Sequence, residues 1–305
     1  MNKLIPILAG PTASGKTGIS IALAQRNDAE IISADSRQIF KGFQIGTASP
    51  GKQELDSVKH HFIQEFDTSE HYSAGVFANL VSDRIDEIHS RDKQVIVVGG
   101  STLYVQSLLQ PFAVIPQISP DVRTHLNERL AAEGASILYE ELTSVDPAFA
   151  ATLDPTKSQR IVRGLEVFIG TGEPLSSFFD SSPSPPRHFR LFILNRERDN
   201  LYSRINDRVD AMIEEGLVDE VKGLLEEGPE TRNILERTIG YQELIPFLEK
   251  GEPLANCVEM IKRNSRRYAK RQLTWYKRFE DAVWLDVESM STAELIDTIQ
   301  GQATG

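Results

Sequence analysis

Residues 9–17 read AGPTASGKT. Gly10 and Gly15 bracket four residues, and Lys16 and Thr17 follow, which fills every fixed position of the phosphate-cradling pattern G-x-x-x-x-G-K-[ST]. In such a loop the backbone of Gly10, Pro11, Thr12, Ala13, Ser14 and Gly15 wraps an anion. The helix that follows adds its N-terminal dipole, Lys16 a point charge, and the Thr17 hydroxyl a donor suited to Mg²⁺. The pattern specifies a phosphate. It leaves open whether that phosphate is transferred, hydrolysed or released.

The flanks decide the fold class. LIPILA at 4–9 is an apolar run of strand length, and TGISIALAQRN after it carries apolar residues at helical spacing, so the loop lies between a strand and a helix. EIISAD (30–35), QVIVVGG (94–100) and RLFILN (190–195) read as further strands, each followed by a helical pattern. Strands alternating with helices predict an α/β fold: a parallel sheet of the P-loop NTPase type with helices on both faces. Ligands of such sheets bind at the carboxyl ends of the strands, so the loop, Asp35 and Ser101 are expected to meet at one crevice.

Between the third and fourth strands lies an excursion too long for a simple crossover. Residues 113–187 read as helices and close with SSPSPPR, a linker composition, so they are expected to form an inserted all-helical subdomain. Residues 1–112 are then the first part of the core. Residues 188–305 complete it and add a helical C-terminal region.

With 305 residues and 40% hydrophobic content, the chain has enough apolar surface for a substantial core. No run approaches a membrane span, and MNKLIPILAG is too short for a signal peptide, so a cytoplasmic protein without a membrane partner is expected; a monomer is the default expectation, which the sequence itself does not fix. The single cysteine, Cys257, is read as a small core residue, and the adjacent His60 and His61 as local packing rather than a shared metal site.

Net charge is −11, which disfavours nonspecific polyanion binding by the surface as a whole. Residues 262–278, KRNSRRYAKRQLTWYKR, break that pattern with eight basic residues and no acid. On a helix Arg263, Arg267 and Arg271 share one face, with Lys270 in the adjacent row, and Tyr268, Trp275 and Tyr276 interleave. Like charges four apart repel, so either a polyanion or acids from elsewhere in the chain must answer them.

Asp35 at a strand end has three open readings: a group near Mg²⁺, a general base, or a cap on the following turn. Arg204 and Arg208, four apart after the fourth strand, have the spacing to face the phosphate crevice together, while Arg160 and Arg163 lie on the inserted subdomain.

The motifs GPTASGKT, ISADSRQIFKGFQIGTASP, HHFI, YSAGVF, VVGGSTLY, QRIVRGLEV with TGEPLS, RERDNLYSRINDRVDAMIEEGL, TIGYQE and YAKRQLTW occur in this order. Together they resemble the bacterial tRNA dimethylallyltransferase (tRNA isopentenyltransferase) family over about residues 4–285. The resemblance implies transfer of a dimethylallyl group from dimethylallyl diphosphate to N6 of the adenosine immediately 3′ of the anticodon, in tRNAs reading codons that begin with U. Diphosphate would leave intact, held by Lys16, Thr17, Arg208 and Mg²⁺, with Asp35 as general base and Ser101 where the family usually has threonine. By the same resemblance the tRNA contacts are Asp35, Ser36, Arg37, Gln38, Ser101, Arg123, Gln159, Arg160, Ile161, Val162 and Arg163, joined by Arg263, Arg267, Lys270 and Arg271 of the basic helix. Departures from the family pattern are Thr102 for glycine, Gly164 for alanine, Lys157 for an acidic residue and Ser265 for threonine. Three rivals remain: a free-nucleotide isopentenyltransferase, a small-molecule kinase using ATP, and a nucleotide-gated RNA-binding module without chemistry.

Overall fold

The computed structural model describes residues 4–70, 72–181 and 187–303, so residues 182–186 of the expected SSPSPPR linker lie outside the described residues. The chain divides into two compact units, residues 1–109 with 186–305 and residues 110–185. In chain order the first unit contains β1 (Ile5–Ala9), α1 (Lys16–Asn27), β2 (Ala29–Ser33), α2 (Lys52–Ser57), β3 (His60–His61), α3 (Ala74–His89), β4 (Gln94–Gly99) and α4 (Thr102–Leu109). The second holds α5 (Pro120–Glu133), α6 (Ala135–Val145), α7 (Pro147–Ala150), α8 (Ser158–Thr171) and a short 3-10 helix, Leu175–Ser181. The chain then returns to the first unit with β5 (Phe189–Asn195), α9 (Arg198–Glu214), α10 (Leu217–Leu225), α11 (Pro229–Leu235), α12 (Ile245–Lys250), α13 (Leu254–Tyr276), β6 (Val283–Asp286) and α14 (Thr292–Ala303).

The six strands form one parallel sheet in the order β3-β2-β4-β1-β5-β6. Its central strands are apolar almost without interruption because both faces are covered, and successive side chains alternate between two cores. Ile5, Ile7 and Ala9 of β1, with Val95 and Val97 of β4 and Leu191 and Ile193 of β5, enter one core. That core is closed by Phe77, Val81 and Ile85 of α3, Val105 of α4 and Tyr276 of α13, and Cys257 is buried within it. Leu8, Ile31, Ile96, Phe192 and Leu194 face the other way, against Leu23 of α1 and Leu295 and Ile299 of α14.

The two strands with no sequence signal are the sheet's edges. β3 is two residues long, too short for any period, and β6 is four residues with Trp284 exposed. Both form because a formed neighbouring strand offers them hydrogen-bonding groups.

Two glycines bring the carboxyl edge of the sheet together. Gly10, at φ 151°, passes so close to β5 that a Cβ on it would stand 2.6 Å from the Leu194 carbonyl oxygen. A Cβ on Gly99 would stand 2.1 Å from the Ala34 carbonyl oxygen, a distance no side chain tolerates. The second strand therefore runs on past Ser33 in contact with the end of β4, and Asp35 is delivered beside the phosphate loop.

The second unit has its own core, built from Leu126, Leu138, Leu142, Ile161, Val162 and Leu165. Buried Asp146 caps α7 by accepting the Phe149 N–H at 3.0 Å, and its other oxygen accepts the Ser176 N–H at 2.9 Å. Among the described residues no helix is long and apolar enough to cross a membrane.

Candidate active site at the carboxyl edge of the sheet

The loop between β1 and α1 is held from several sides. Arg196, immediately after β5, donates from Nε to the Ser14 carbonyl at 3.1 Å, and Arg204 of α9 donates from Nε to the Ala13 carbonyl at 3.0 Å. One turn on, Arg208 Nη1 donates to Thr12 Oγ1 at 3.4 Å. Lys16 curls back so that its ammonium donates to the carbonyls of Gly10 at 3.1 Å and Pro11 at 2.8 Å. The first turn of α1 presents N–H groups that a helix cannot satisfy from within itself. A ring of N–H groups and four cations around one loop is an anion site.

Crowding and burying cations has an electrostatic cost. Burial drives the Lys16 ammonium down to about 7, Arg208 pushes in the same direction, and Asp35 opposes both. Burial and the neighbouring Arg204 also lower Arg208, by the same logic of crowded, desolvated cations. Within this ring, among the described residues, the one carboxylate paired with an arginine is Glu288, 3.6 Å from Arg196.

Asp35 is fixed by one oxygen. Its Oδ1 accepts the backbone N–H groups of Arg37 at 2.9 Å and Gln38 at 3.3 Å, so the capping reading holds for that oxygen. No donor among the described residues engages Oδ2, which leaves a lone pair for chemistry. Ser101 is buried and works on the neighbour of Asp35: its Oγ accepts the Ser36 N–H at 2.8 Å and its hydroxyl donates to Ser36 Oγ at 3.2 Å. The hydroxyl expected near the reacting groups is thus engaged with Ser36.

Other expected residues are narrowed by their surroundings. The half-buried Gln38 amide donates to the Thr47 and Ala48 carbonyls at 3.1 and 3.2 Å and accepts from Ser33 Oγ at 3.1 Å, so it braces the loop after Asp35. Ile161 and Val162 are fully buried in the second unit's core, which corrects their expected role as RNA contacts. Helical periodicity turns these two inward, while Gln159 and Arg160 are exposed and Arg163 is half-buried. Arg123 and Arg163 both reach the buried carboxylate of Glu166, at 3.3 and 3.0 Å, so one acid holds two guanidinium groups side by side.

On α13 the division is by face. Cys257, Ile261, Ala269, Gln272 and Tyr276 are buried, and Trp275 packs partly against the core; two of the three interleaved aromatics adjoin the site, Tyr276 with a buried hydroxyl that feels Asp35, and the half-buried Tyr268. Its ring lies under Arg271 at 5.7 Å, and its hydroxyl is pushed up to about 12 by burial and then by Asp35. Arg263, Arg267, Lys270 and Arg271 are exposed, and among the described residues none has an acidic partner; the ion pairs on this helix belong to Lys262, with Asp210 and Glu259. The reading in which acids from the same chain neutralise the strip loses its support.

Three contributors carried no clear signal in sequence. Arg196 was findable as the first residue past a strand end. Gln272 sits in the apolar stripe of a basic helix, where it accepts the Thr12 N–H at 3.1 Å and donates to the Gly100 carbonyl at 2.7 Å. Glu220 of α10 receives the N–H groups of Gln44, Ile45 and Gly46 at 3.3, 2.7 and 3.0 Å and the Tyr241 hydroxyl at 2.7 Å, thereby setting the loop after Asp35. In sequence it is an ordinary helix-face acid.

His60 and His61 lie on edge strand β3. His61 bridges Glu30 at 2.6 Å and Arg84 at 2.7 Å, with its imidazole lowered chiefly by burial, and His60 Nδ1 meets the Val58 carbonyl. Among the described residues no cluster of three or more His, Cys, Asp or Glu is placed to hold a metal ion.

The chain is similar to proteins of known name over nearly its whole length. It is 44% identical to a tRNA dimethylallyltransferase of Salinibacter ruber, over 97% of this chain and 92% of that one. It is also 44% identical to a tRNA dimethylallyltransferase of Chloroherpeton thalassium, over 96% and 94%. Among solved structures it resembles the full-length tRNA isopentenylpyrophosphate transferase of Bacillus halodurans, with a TM-score of 0.71, 36% identity and coverage of 99% and 97%. A eukaryotic dimethylallyltransferase described as acting on tRNA superposes with a TM-score of 0.80 at 29% identity, covering 98% of this chain and 77% of that one. The sequence profile of the IPP transferases matches residues 38–279, which take in the Asp35 turn from Gln38 onward, the end of β4, α9 and the basic helix. With agreement of this extent on top of the site geometry, the chain belongs to the IPP transferase family.

Proposed function

We propose that the protein transfers a dimethylallyl group from dimethylallyl diphosphate to N6 of the adenosine immediately 3′ of the anticodon of tRNA. The observation that carries this reading is the pairing of a cation-lined phosphate loop with a carboxylate whose Oδ1 is anchored and whose Oδ2 is open. The nitrogen lone pair attacks the allylic carbon, and the carbon–oxygen bond breaks with its electron pair going to the diphosphate. The proton lost from nitrogen passes to Asp35 Oδ2.

Lys16, Arg208 and the first turn of α1 stabilise the charge that grows on the departing diphosphate, the contribution expected to dominate catalysis. Thr17 fits a Mg²⁺ ion: it offers one half-buried hydroxyl at the loop's end, and Mg²⁺ typically takes one or two protein ligands and fills its shell from phosphate and water. When bound there, the ion neutralises diphosphate oxygens.

An adenine stacked in a loop does not reach such a crevice, so it must be extruded, and unstacking costs a few kcal/mol that contacts elsewhere must offset. Arg263, Arg267, Lys270 and Arg271 supply them from α13, Ser36 and Arg37 from the turn after Asp35, and Arg123, Gln159, Arg160 and Arg163 from the second unit. Names of relatives that specify tRNA favour this acceptor over a free nucleotide. The protein is read as a cytoplasmic monomer.

Incubation with Mg²⁺, dimethylallyl diphosphate and unmodified tRNA, followed by digestion and mass spectrometry, is expected to yield prenylated adenosine. Product on free AMP, or consumption of ATP with no prenylated RNA, overturns the reading. A narrower expectation concerns the basic face. Arg267→Ala is expected to weaken tRNA binding on all substrates and to reduce the slope of log affinity against log salt by about one unit, as for the loss of one phosphate contact. Binding titrations at several salt concentrations measure it, and an unchanged slope removes Arg267 from the interface.

A further inference from the structure

Gln272 is 2% exposed, on a helix whose other polar residues mostly face outward. Burying a primary amide is unfavourable unless its donor and acceptor are both used. Here they are used on two different catalytic elements: Oε1 takes the Thr12 N–H of the phosphate loop, and Nε2 gives to the Gly100 carbonyl at the end of β4. The fit is tight enough that a Cβ on Gly100 would stand 2.7 Å from Nε2. Further holds on the loop come from Lys16, Arg196, Arg204 and Arg208. Gln272 adds a hold from the helix that bears Arg267 and Arg271.

We infer that Gln272 is a positioning residue that sets the phosphate loop for diphosphate by tying Thr12 to Gly100, and that it makes the basic helix and the loop one mechanical piece. With the Thr12 N–H committed to Gln272, the Thr12 peptide is oriented and its side chain meets Arg208. The inference rests on the reading of the loop as the diphosphate site. It assigns Gln272 no contact with substrate.

Three proteins test it: wild type, Gln272→Met, which keeps the volume and deletes both hydrogen bonds, and Gln272→Glu. The probe is inorganic pyrophosphate with Mg²⁺, and tRNA binding is measured in parallel. For Gln272→Met we expect pyrophosphate affinity to fall about ten-fold, the scale of two lost hydrogen bonds, with tRNA affinity within about two-fold of wild type.

Gln272→Glu adds a readout that a packing role would not move. A neutral carboxylic acid reproduces the amide's pattern, accepting from Thr12 and donating to Gly100, whereas the carboxylate sets a charge against the Gly100 carbonyl. Burial raises such a carboxyl, so the ratio of variant to wild-type dissociation constants is expected to fall toward one as pH drops from about 9 to about 6. Wild-type pyrophosphate affinity in Gln272→Met overturns the inference, and so does an equal loss of pyrophosphate and tRNA binding. Should Gln272→Met fail to fold, a flat ratio for Gln272→Glu across that range overturns it. The prenylation assay on wild type is a separate result: no prenylated RNA there, with the pyrophosphate pattern intact, overturns the functional reading and leaves the clamp standing.

Discussion

Asp35→Asn is expected to lower the turnover number by about 10²- to 10⁴-fold, the usual share of a general base, while tRNA binding stays within about three-fold of wild type. Asparagine keeps an oxygen to accept the Arg37 and Gln38 N–H groups, so the turn survives and only the proton acceptor is lost. Asp35→Ala removes both and is expected to cost a further ~1 kcal/mol of stability, typical for a lost cap. Single-turnover prenylation, tRNA binding and thermal melting of the two variants separate the roles. Full activity in Asp35→Asn with reduced activity in Asp35→Ala means that the capping oxygen is all that matters.

Lys16→Met is expected to lower kcat/KM for dimethylallyl diphosphate by about 10²- to 10³-fold, since it deletes the charge that faces the leaving group. The same lysine predicts a pH dependence. In the free protein its ammonium is held at about 7, mainly by burial and also by Arg208. A bound diphosphate favours the charged form, so binding above pH 7 takes up a proton and affinity declines as pH rises through that range. Calorimetry in two buffers of different ionisation enthalpy measures the uptake, and Lys16→Met abolishes it. For folding, the lysine titrates near 7 when folded and near 10.5 when unfolded, so between these values the unfolded chain binds more protons. The ligand-free protein therefore gains stability with rising pH across that window, and Lys16→Met removes that gain. Proton uptake that persists in Lys16→Met assigns the titration to another group.

Much of the sheet was legible because a parallel strand buried on both faces must be apolar throughout. LIPILA, EIISAD, QVIVVGG and RLFILN meet that condition and correspond to β1, β2, β4 and β5. Edge strands β3 and β6 were not legible, since two and four residues carry no period and form only against a neighbour already in place. The site divides in the same way. Gly10, Gly15, Lys16 and Thr17 announce themselves because a phosphate loop depends on local backbone geometry. Arg204 and Arg208 show as a pair one helical turn apart, and the structure places both on the loop. Ile161 and Val162 were misread because a motif marks which residues a family keeps, without saying which face each one turns to.

The sequence by itself determined the strand–loop–helix phosphate cradle, the parallel α/β class, the acidic chain with one basic helix, and the order of motifs that identifies the family. These are local or compositional properties, set by backbone reach, side-chain charge and short-range period. Only the tertiary structure decided which oxygen of Asp35 is left open, that the Ser101 hydroxyl is engaged with Ser36, and that Glu220 shapes the loop from 174 residues away from Gly46. It also turned one polar residue of the basic helix, Gln272, inward onto Thr12 and Gly100. The reason is physical: a buried hydrogen bond is specified by which donor and acceptor the packed core brings within about 3 Å, and that pairing is written in no single stretch of chain.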